Sequence, residues 1–232
     1  MYAKFWKRFF DFTLSLLALI VLSPLLIILT VIGAIAMRGN PFFTQARPGK
    51  IDKKTGKEKI FRLIKFRTMS NKKDENGNLL PDEARLNSYG RFLRSTSLDE
   101  LPELVNIIFG SAGVVGPRPF LVRDCVFLTD EQRRRHTVRP GLTGLAQVNG
   151  RNNITWEQKF EYDLQYIDQG ITFKDDLVII LKTIAKVIKR SDVVREGTVS
   201  DMDYGDWLMM EGKVDQATYD EKQEEARQLL KV

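Results

Sequence analysis

The residues able to do chemistry lie between positions 65 and 163. Asp99 and Glu100 are adjacent carboxylates in Ser97-Leu98-Asp99-Glu100-Leu101-Pro102. Either Ser97 caps a helix there, in a capping box with Glu100, or Asp99 does, with Pro102 in the first turn. Both versions put the carboxylates at a helix N-terminus, where the positive dipole end favours their ionised forms. An acidic pair at a helix start is most often capping alone. The chemical alternative is a nucleophile beside a metal-holding carboxylate. Three arginine loops follow: Gly116-Pro117-Arg118-Pro119, Arg139-Pro140-Gly141-Leu142-Thr143-Gly144 and Asn149-Gly150-Arg151-Asn152-Asn153. Each sets a guanidinium on a stiff or turn-rich segment, and glycines let backbone amides approach an oxyanion. One such loop is ordinarily a rigid surface turn; three within 38 residues point to phosphate.

Other chemistries have little support. Cys125 and His136 are the single cysteine and histidine, which excludes an intrachain disulfide, a multi-cysteine metal site and a polyhistidine zinc site. Both read as structural. Asp201-Met202-Asp203 has the form of the metal-binding D-x-D of glycosyltransferases that transfer the sugar alone and release UDP. It lies in an acidic linker with no strand before it. Arg133-Arg134-Arg135 reads as a solvated face or a lipid contact.

The elements that must position these groups are set by uneven charge and hydropathy. Of 232 residues, 43% are hydrophobic and 28% charged, a balance that excludes full disorder, a collagen-like repeat or a disulfide-rich mini-protein. Net charge is +11 over residues 1–98, +1 over 99–191 and −6 over 192–232. The basic front suggests polyanionic partners such as phospholipid, nucleic acid or phosphorylated small molecules. The acidic end reads as a separate, solvated appendage. Phe12–Met37 has no charged residue in 26 positions, beyond the roughly 20 that a membrane helix needs and too long for a secretory signal. A straight spanning helix competes with a re-entrant hairpin. Ser23-Pro24 sits near the midpoint, and proline kinks or breaks a helix. Each leg is then about 17–20 Å long, enough to enter one leaflet but not to cross a core of about 30 Å. The Ser23 hydroxyl is available to a carbonyl freed by the break. Lys4, Lys7 and Arg8 precede the stretch, and Arg38, Arg47, Lys50, Lys53 and Lys54 follow it. A spanning helix normally has a one-sided basic excess, so the hairpin is narrowly preferred.

Beyond it, residues 60–69 predict a strand with Lys65 and Arg67 on one face. Residues 71–83 predict a polar loop with an Asn76-Gly77 turn, and 85–94 a short helix. Residues 155–169 predict a helix capped by Thr155 with Gln158. Residues 174–190 predict a helix whose apolar stripe is core in preference to an interfacial membrane face. Residues 196–206 predict a linker, and 216–231 a polar terminal helix.

Six segments in order carry a resemblance. They are the apolar start with Ser23-Pro24, Phe43-Thr44-Gln45-Ala46-Arg47-Pro48-Gly49, Lys65-Phe66-Arg67-Thr68-Met69, Ser97-Leu98-Asp99-Glu100-Leu101-Pro102, Gly116-Pro117-Arg118-Pro119 and Arg139-Pro140-Gly141-Leu142-Thr143-Gly144. Over residues 1–197 the chain resembles the bacterial sugar transferases, and within them the small monotopic polyprenol-phosphate phosphoglycosyl transferases. The resemblance implies transfer of a phospho-sugar from a UDP-sugar to polyprenyl (undecaprenyl) phosphate, with release of UMP. Asp99 would be the nucleophile of a ping-pong reaction through a covalent phospho-sugar, and Glu100 would hold Mg²⁺. Lys65, Arg94, Arg118 and Arg151 match basic positions around the phosphates, and Asp163 an acidic position near them. Arg67, Pro117, Pro119, Arg139 and Thr143 would support the site.

The family pattern also implies a re-entrant helix-break-helix at Ser23-Pro24 and a place on the cytoplasmic face of the bacterial inner membrane, in contact with phospholipid. The expected fold is α+β and mostly helical: a membrane hairpin over 1–38, a catalytic domain with interfacial helices over 39–197, and an acidic extension over 198–232. Trp207–Leu230 is similar to the C-terminal oligomerisation helices called SHOCT, which implies a homo-oligomer. Gly110–Val115 departs from the family in lacking its acidic residue and methionine, which questions that loop's rigidity. No nucleic-acid motif is present. The rival readings are a non-enzymatic, membrane-tethered polyanion binder and the D-x-D glycosyltransferase.

Overall fold

A computed structural model describes residues 2–150, 154–189 and 202–231. The apolar stretch forms one helix, α1 (Trp6–Met37), with Pro24 inside it. Two separate helices were expected; instead helical structure runs unbroken through Ser23-Pro24. Pro24 has no N–H for the Ile20 carbonyl four residues back, and Ser23 Oγ donates to that carbonyl at 2.8 Å. The hydroxyl thus replaces the donor that proline removes.

Both ends of α1 are tied to the rest of the chain. Lys7 Nζ donates to Asp176 at 2.7 Å, and Asp11 accepts the Val114 N–H at 3.1 Å. At the other end Tyr89 donates to the Leu29 carbonyl at 2.8 Å, and Asn87 to that of Ala36 at 3.3 Å. Between these anchors, exposed Ile20, Val21, Ile27, Ile28 and Ile35 face outward.

After α1, β1 (Phe42–Ile51) and β2 (Glu58–Phe66) form an antiparallel hairpin with Phe42 opposite Phe66. The strand ends at Phe66, so Arg67 falls outside it. The expected helix over 85–94 is two pieces, α2 (Asp82–Arg85) and α3 (Ser88–Thr96), because Asn87 caps α3 by accepting the Gly90 N–H. A 3-10 turn, Leu98–Glu100, leads into α4 (Glu103–Ile108).

The next strand, β3 (Gly113–Val115), pairs in parallel with β4 (Gly141–Thr143). The loop of questioned rigidity is therefore a paired strand, tied also to Asp11. Between β3 and β4 lie α5 (Val122–Cys125) and α6 (Asp130–Arg133). After β4 come α7 (Leu145–Asn149), α8 (Trp156–Asp168) with the expected Thr155–Gln158 capping box, and α9 (Phe173–Lys189).

The expectation that α9 is core is corrected. Ile179 is buried, but Leu181, Ile184 and Ile188 are 56%, 51% and 77% exposed. One face packs on Val115, Val148 and Tyr166, and the other is an apolar surface between lysines. Arg133-Arg134-Arg135 is not one solvated face either. Arg133 forks onto Glu58 at 2.9 Å, and Arg135 is wholly buried.

The acidic end is not a free appendage. Where a linker was expected, α10 (Tyr204–Met210) begins, followed by the expected terminal helix α11 (Gln216–Leu230). Tyr204 and Leu208 bury themselves among Phe120, Leu128 and Phe160. Arg123 bridges Asp206 at 2.7 Å and Asp203 at 3.4 Å, and Asp124 accepts the Gly205 N–H at 3.1 Å.

Burial pushes the Asp124 carboxyl up to about 6, against that N–H. Because the folded value lies above the unfolded one, Asp124's contribution to stability is greatest below about pH 4 and is lost as pH rises through 6. Asn keeps the acceptor and loses the charge. Asp124→Asn is expected to stabilise the protein at pH 7.5 by on the order of 2 kcal/mol, a Tm rise of roughly 4–8 °C, with the gain vanishing near pH 4. Thermal melts of both proteins across pH check this.

Candidate active site

The acidic pair sits on the 3-10 turn and not in the first turn of a helix. Ser97 closes α3 in a left-handed conformation, φ 56°, so its side chain caps nothing downstream. Pro102 in turn occupies the N-cap of α4. The turn leaves Glu100 buried and Asp99 half-buried.

Two elements converge on Glu100. Lys65, from the end of β2, donates to Glu100 Oε1 at 2.8 Å. Arg118, from the Gly-Pro-Arg-Pro loop, donates to the same oxygen. Glu100 is the main cause that raises the Arg118 guanidinium. Lys65 also reaches Glu103 Oε1 at 3.1 Å. Glu103 is 3% exposed, and burial pushes its carboxyl up to about 6 against the pull of Lys65. Arg94 donates to Thr68 Oγ1 at 3.1 Å; burial lowers its guanidinium, and Asp99 opposes that shift. Lys65, Arg94 and Arg118 therefore surround the acidic pair.

Other expected site residues fall elsewhere. Arg67 has no hydrogen bond or ion pair to the acidic pair among the described residues. Arg139 lies apart from the acidic pair: its Nε donates to the Gly110 carbonyl at 2.8 Å, and it lines a different hollow. Thr143 bonds Thr183 at 2.7 Å and lines the same cavity as Glu100 and Arg118. Pro117 and Pro119 act through their carbonyls, which accept from the Gly141 N–H and from Arg47, both at 3.0 Å.

The glycines of these loops serve packing more than ligand approach. A Cβ on Gly141 would meet Gly116 N at 2.1 Å. The amides of Gly113, Gly116 and Gly141 are bonded to the carbonyls of Pro140, Thr143 and Pro117. Arg151 and Asp201 lie outside the described residues. Of the D-x-D pair only Asp203 is described, and it pairs with Arg123 at 3.4 Å.

Asp163 does not face the acidic pair; it anchors Arg135 at 2.6 Å. Arg135 lies over the Phe120 ring at 3.6 Å and donates to the Arg118 carbonyl at 2.6 Å. This buried pair positions the Arg118 loop. Sequence reading missed Glu103 and Arg135. The three-residue step from Glu100 to Glu103 was a helical-spacing signal for the first. Nothing in Arg133-Arg134-Arg135 marks which arginine turns inward.

Two cavities meet at Arg118 and Gln147. One, of about 300 Å³, is walled largely by apolar side chains such as Leu98, Leu101, Leu142 and Ile184, with Glu100 at its edge. The other, of about 180 Å³, is lined by Arg47, Phe120, Trp156, Lys159 and Asp203. One face suits a hydrocarbon chain and the other a polar, ring-bearing anion, with the charged groups between.

The family model for bacterial sugar transferases matches residues 2–190. The uncharacterized sugar transferase EpsL of Bacillus subtilis is 47% identical over 184 residues, 78% of this chain and 87% of that protein. UDP-glucose:undecaprenyl-phosphate glucose-1-phosphate transferase of Klebsiella pneumoniae is 37% identical over 78% of this chain and 40% of its own length. Undecaprenyl-phosphate galactose phosphotransferase of Salmonella typhimurium is 33% identical over 82% and 42%. The chain thus spans about two fifths of those two larger relatives.

Removing one partner of a buried ion pair strands the other. Asp163→Ala is expected to cost about 3–5 kcal/mol of stability, read by urea unfolding. The double variant Arg135→Met, Asp163→Leu is expected to recover most of that loss. Turnover by the double variant should nonetheless fall, because Arg135→Met takes away the donor to the Arg118 carbonyl.

Proposed function

The chain belongs to the bacterial sugar transferase family, and on that premise we propose that it moves a phospho-sugar from a UDP-sugar to undecaprenyl phosphate. The observation that carries this reading is an acidic pair ringed by Lys65, Arg94 and Arg118 at the edge of an apolar cavity. Donor, acceptor and nucleophile are all anions, so their mutual repulsion must be offset by fixed cations. In the first step an Asp99 carboxylate oxygen attacks the sugar-bearing phosphorus. The bond from that phosphorus to the UMP oxygen breaks, and UMP leaves with the electron pair. In the second, an oxygen of the lipid phosphate attacks the same phosphorus, and the Asp99 carboxylate departs unchanged. Splitting the transfer in two means that the two large substrates need not bind together.

Magnesium fits the acidic pair, whose hard carboxylate oxygens are the ligands it takes alongside substrate phosphates. Glu100 would hold it. When bound, the ion would neutralise charge on the transferring phosphoryl group.

The same reading places the protein at the cytoplasmic face of the bacterial inner membrane, with α1 re-entrant, residues 39–197 catalytic, and the later residues an extension. Support comes from the anchors at both ends of α1, Lys7 to Asp176 and Asn87 to Ala36. A helix crossing a core of about 30 Å would carry one end out of reach of the body that holds the other. The exposed apolar face of α9, flanked by lysines, suits the headgroup boundary.

Asp99→Asn is expected to lower UMP release from a UDP-sugar by about 10⁴-fold or more, measured with magnesium and undecaprenyl phosphate present. Wild-type protein given donor alone should gain the mass of a phospho-sugar on Asp99. A preparation that turns over without ever carrying that mass removes the covalent route, and release of UDP in place of UMP removes phospho-sugar transfer. Topology has its own test. Burial pushes the Cys125 thiol up to about 12, so cysteines introduced as Ala3→Cys and Gly39→Cys will label against a low background. Both should react with an impermeant maleimide from the cytoplasmic side only; labelling on opposite faces excludes re-entrance.

A further inference from the structure

Between the end of the β1–β2 hairpin and the Gly110-Ser111 loop lies a hollow of about 480 Å³, lined by Lys50, Lys53, Lys59, Arg139 and Asp52 among others. None of the groups assigned to transfer lines it. Asp52 is the carboxylate in its wall, and it is engaged by Lys59 at 3.2 Å and by the Lys54 N–H at 2.8 Å. Lys50 and Lys53 have no carboxylate partner among the described residues. Arg139 commits its Nε to the Gly110 carbonyl. Arg8 adds a further cation: a Cβ on Gly110 would lie 3.3 Å from its guanidinium, which donates to the Ile107 and Ile108 carbonyls. Burial, with Arg139 and Lys53 nearby, pulls the Lys50 ammonium down. Cations that outnumber the one carboxylate around a hollow repel one another, and a bound anion relieves that repulsion.

Two observations name the anion's source. Phe109, next to Gly110, is 82% exposed, a large apolar ring standing beside a cationic hollow. Arg8 lies four residues before Phe12, where the uncharged stretch of α1 begins, an axial distance of about 6 Å. The hollow therefore sits at the depth where headgroup phosphates lie, given the membrane attachment described under the proposed function.

We infer that this hollow binds the phosphate of an anionic phospholipid headgroup, with Lys50, Lys53 and Arg139 facing its oxygens and Phe109 among the acyl chains. The site is separate from the one that handles the lipid acceptor.

The test uses the full chain with phosphatidylglycerol vesicles, phosphatidylcholine vesicles and inorganic phosphate. Lys50→Gln, Lys53→Gln together are expected to weaken phosphatidylglycerol binding by about 30-fold, with little change on phosphatidylcholine. Lys72→Gln, Lys73→Gln removes the same charge from an exposed loop and should lose about threefold or less. Equal losses in the two variants, or none in either, overturn the site. Phosphate binding below about 1 mM that the first variant abolishes, with vesicle binding intact, overturns the lipid source. UMP release in detergent should be unchanged in both variants. Absence of release from wild type would sink the transfer reading and leave the vesicle result to be judged alone.

Discussion

A carboxylate buried away from water is stable as an anion only where cations meet it, and at Glu100 two come from different parts of the chain. Lys65 arrives on the second strand of a hairpin, and Arg118 on a proline-bounded loop 18 residues further along than Glu100. The turn that carries Glu100 also carries Asp99, so the same contacts fix the position of the neighbouring oxygen. Displacing the hairpin or the loop would strand charge in the interior. The requirement extends outward. The loop is held through the Arg118 carbonyl by Arg135, which Asp163 balances. Lys65 is shared with Glu103, so the interior around the acidic pair is an alternating array of charges in which no member moves cheaply.

The long apolar helix obeys a related constraint. Its side chains point outward along much of its length, yet its ends carry polar groups that the folded body satisfies. Lys7, Tyr2 and Tyr166 all meet the Asp176 carboxylate, which binds the start of α1 to the start of α9. The two elements with exposed apolar faces are thereby locked to one another. An exposed apolar surface assembled from distant segments keeps its shape because a buried polar junction fixes it.

Legibility in the sequence followed locality. The α8 helix, its capping box and the terminal helix were readable because the signals lie within four residues of one another. Lys65, Arg94 and Arg118 were singled out by the family pattern, and the structure brings the three to the acidic pair. The helix caps around Ser97 did not read correctly. Ser97 has the chemistry of an N-cap, but closing α3 forces it into the left-handed region. The second face of α9 could not be assigned because an apolar stripe looks the same against protein or lipid. Arg139 and Arg118 sit in similar proline-flanked loops, and parallel pairing of β3 with β4 sends them to different hollows. That pairing joins residues 28 positions apart, a distance at which no local pattern carries information. The loop glycines were misjudged for the same reason: the close approach that requires them is between two loops.

The docked α10 helix has a temporal consequence. Translation delivers N-terminal segments first, and they begin to fold as they emerge. Phe120, Trp156 and Phe160 are therefore made well before Tyr204, which completes their aromatic cluster, and before Asp203, which walls the smaller cavity. Until the ribosome has moved past those positions, that cluster faces water and the cavity stands open on one side. The nascent protein can thus have its first helix and its apolar cavity in place while the polar cavity beside them is still unfinished.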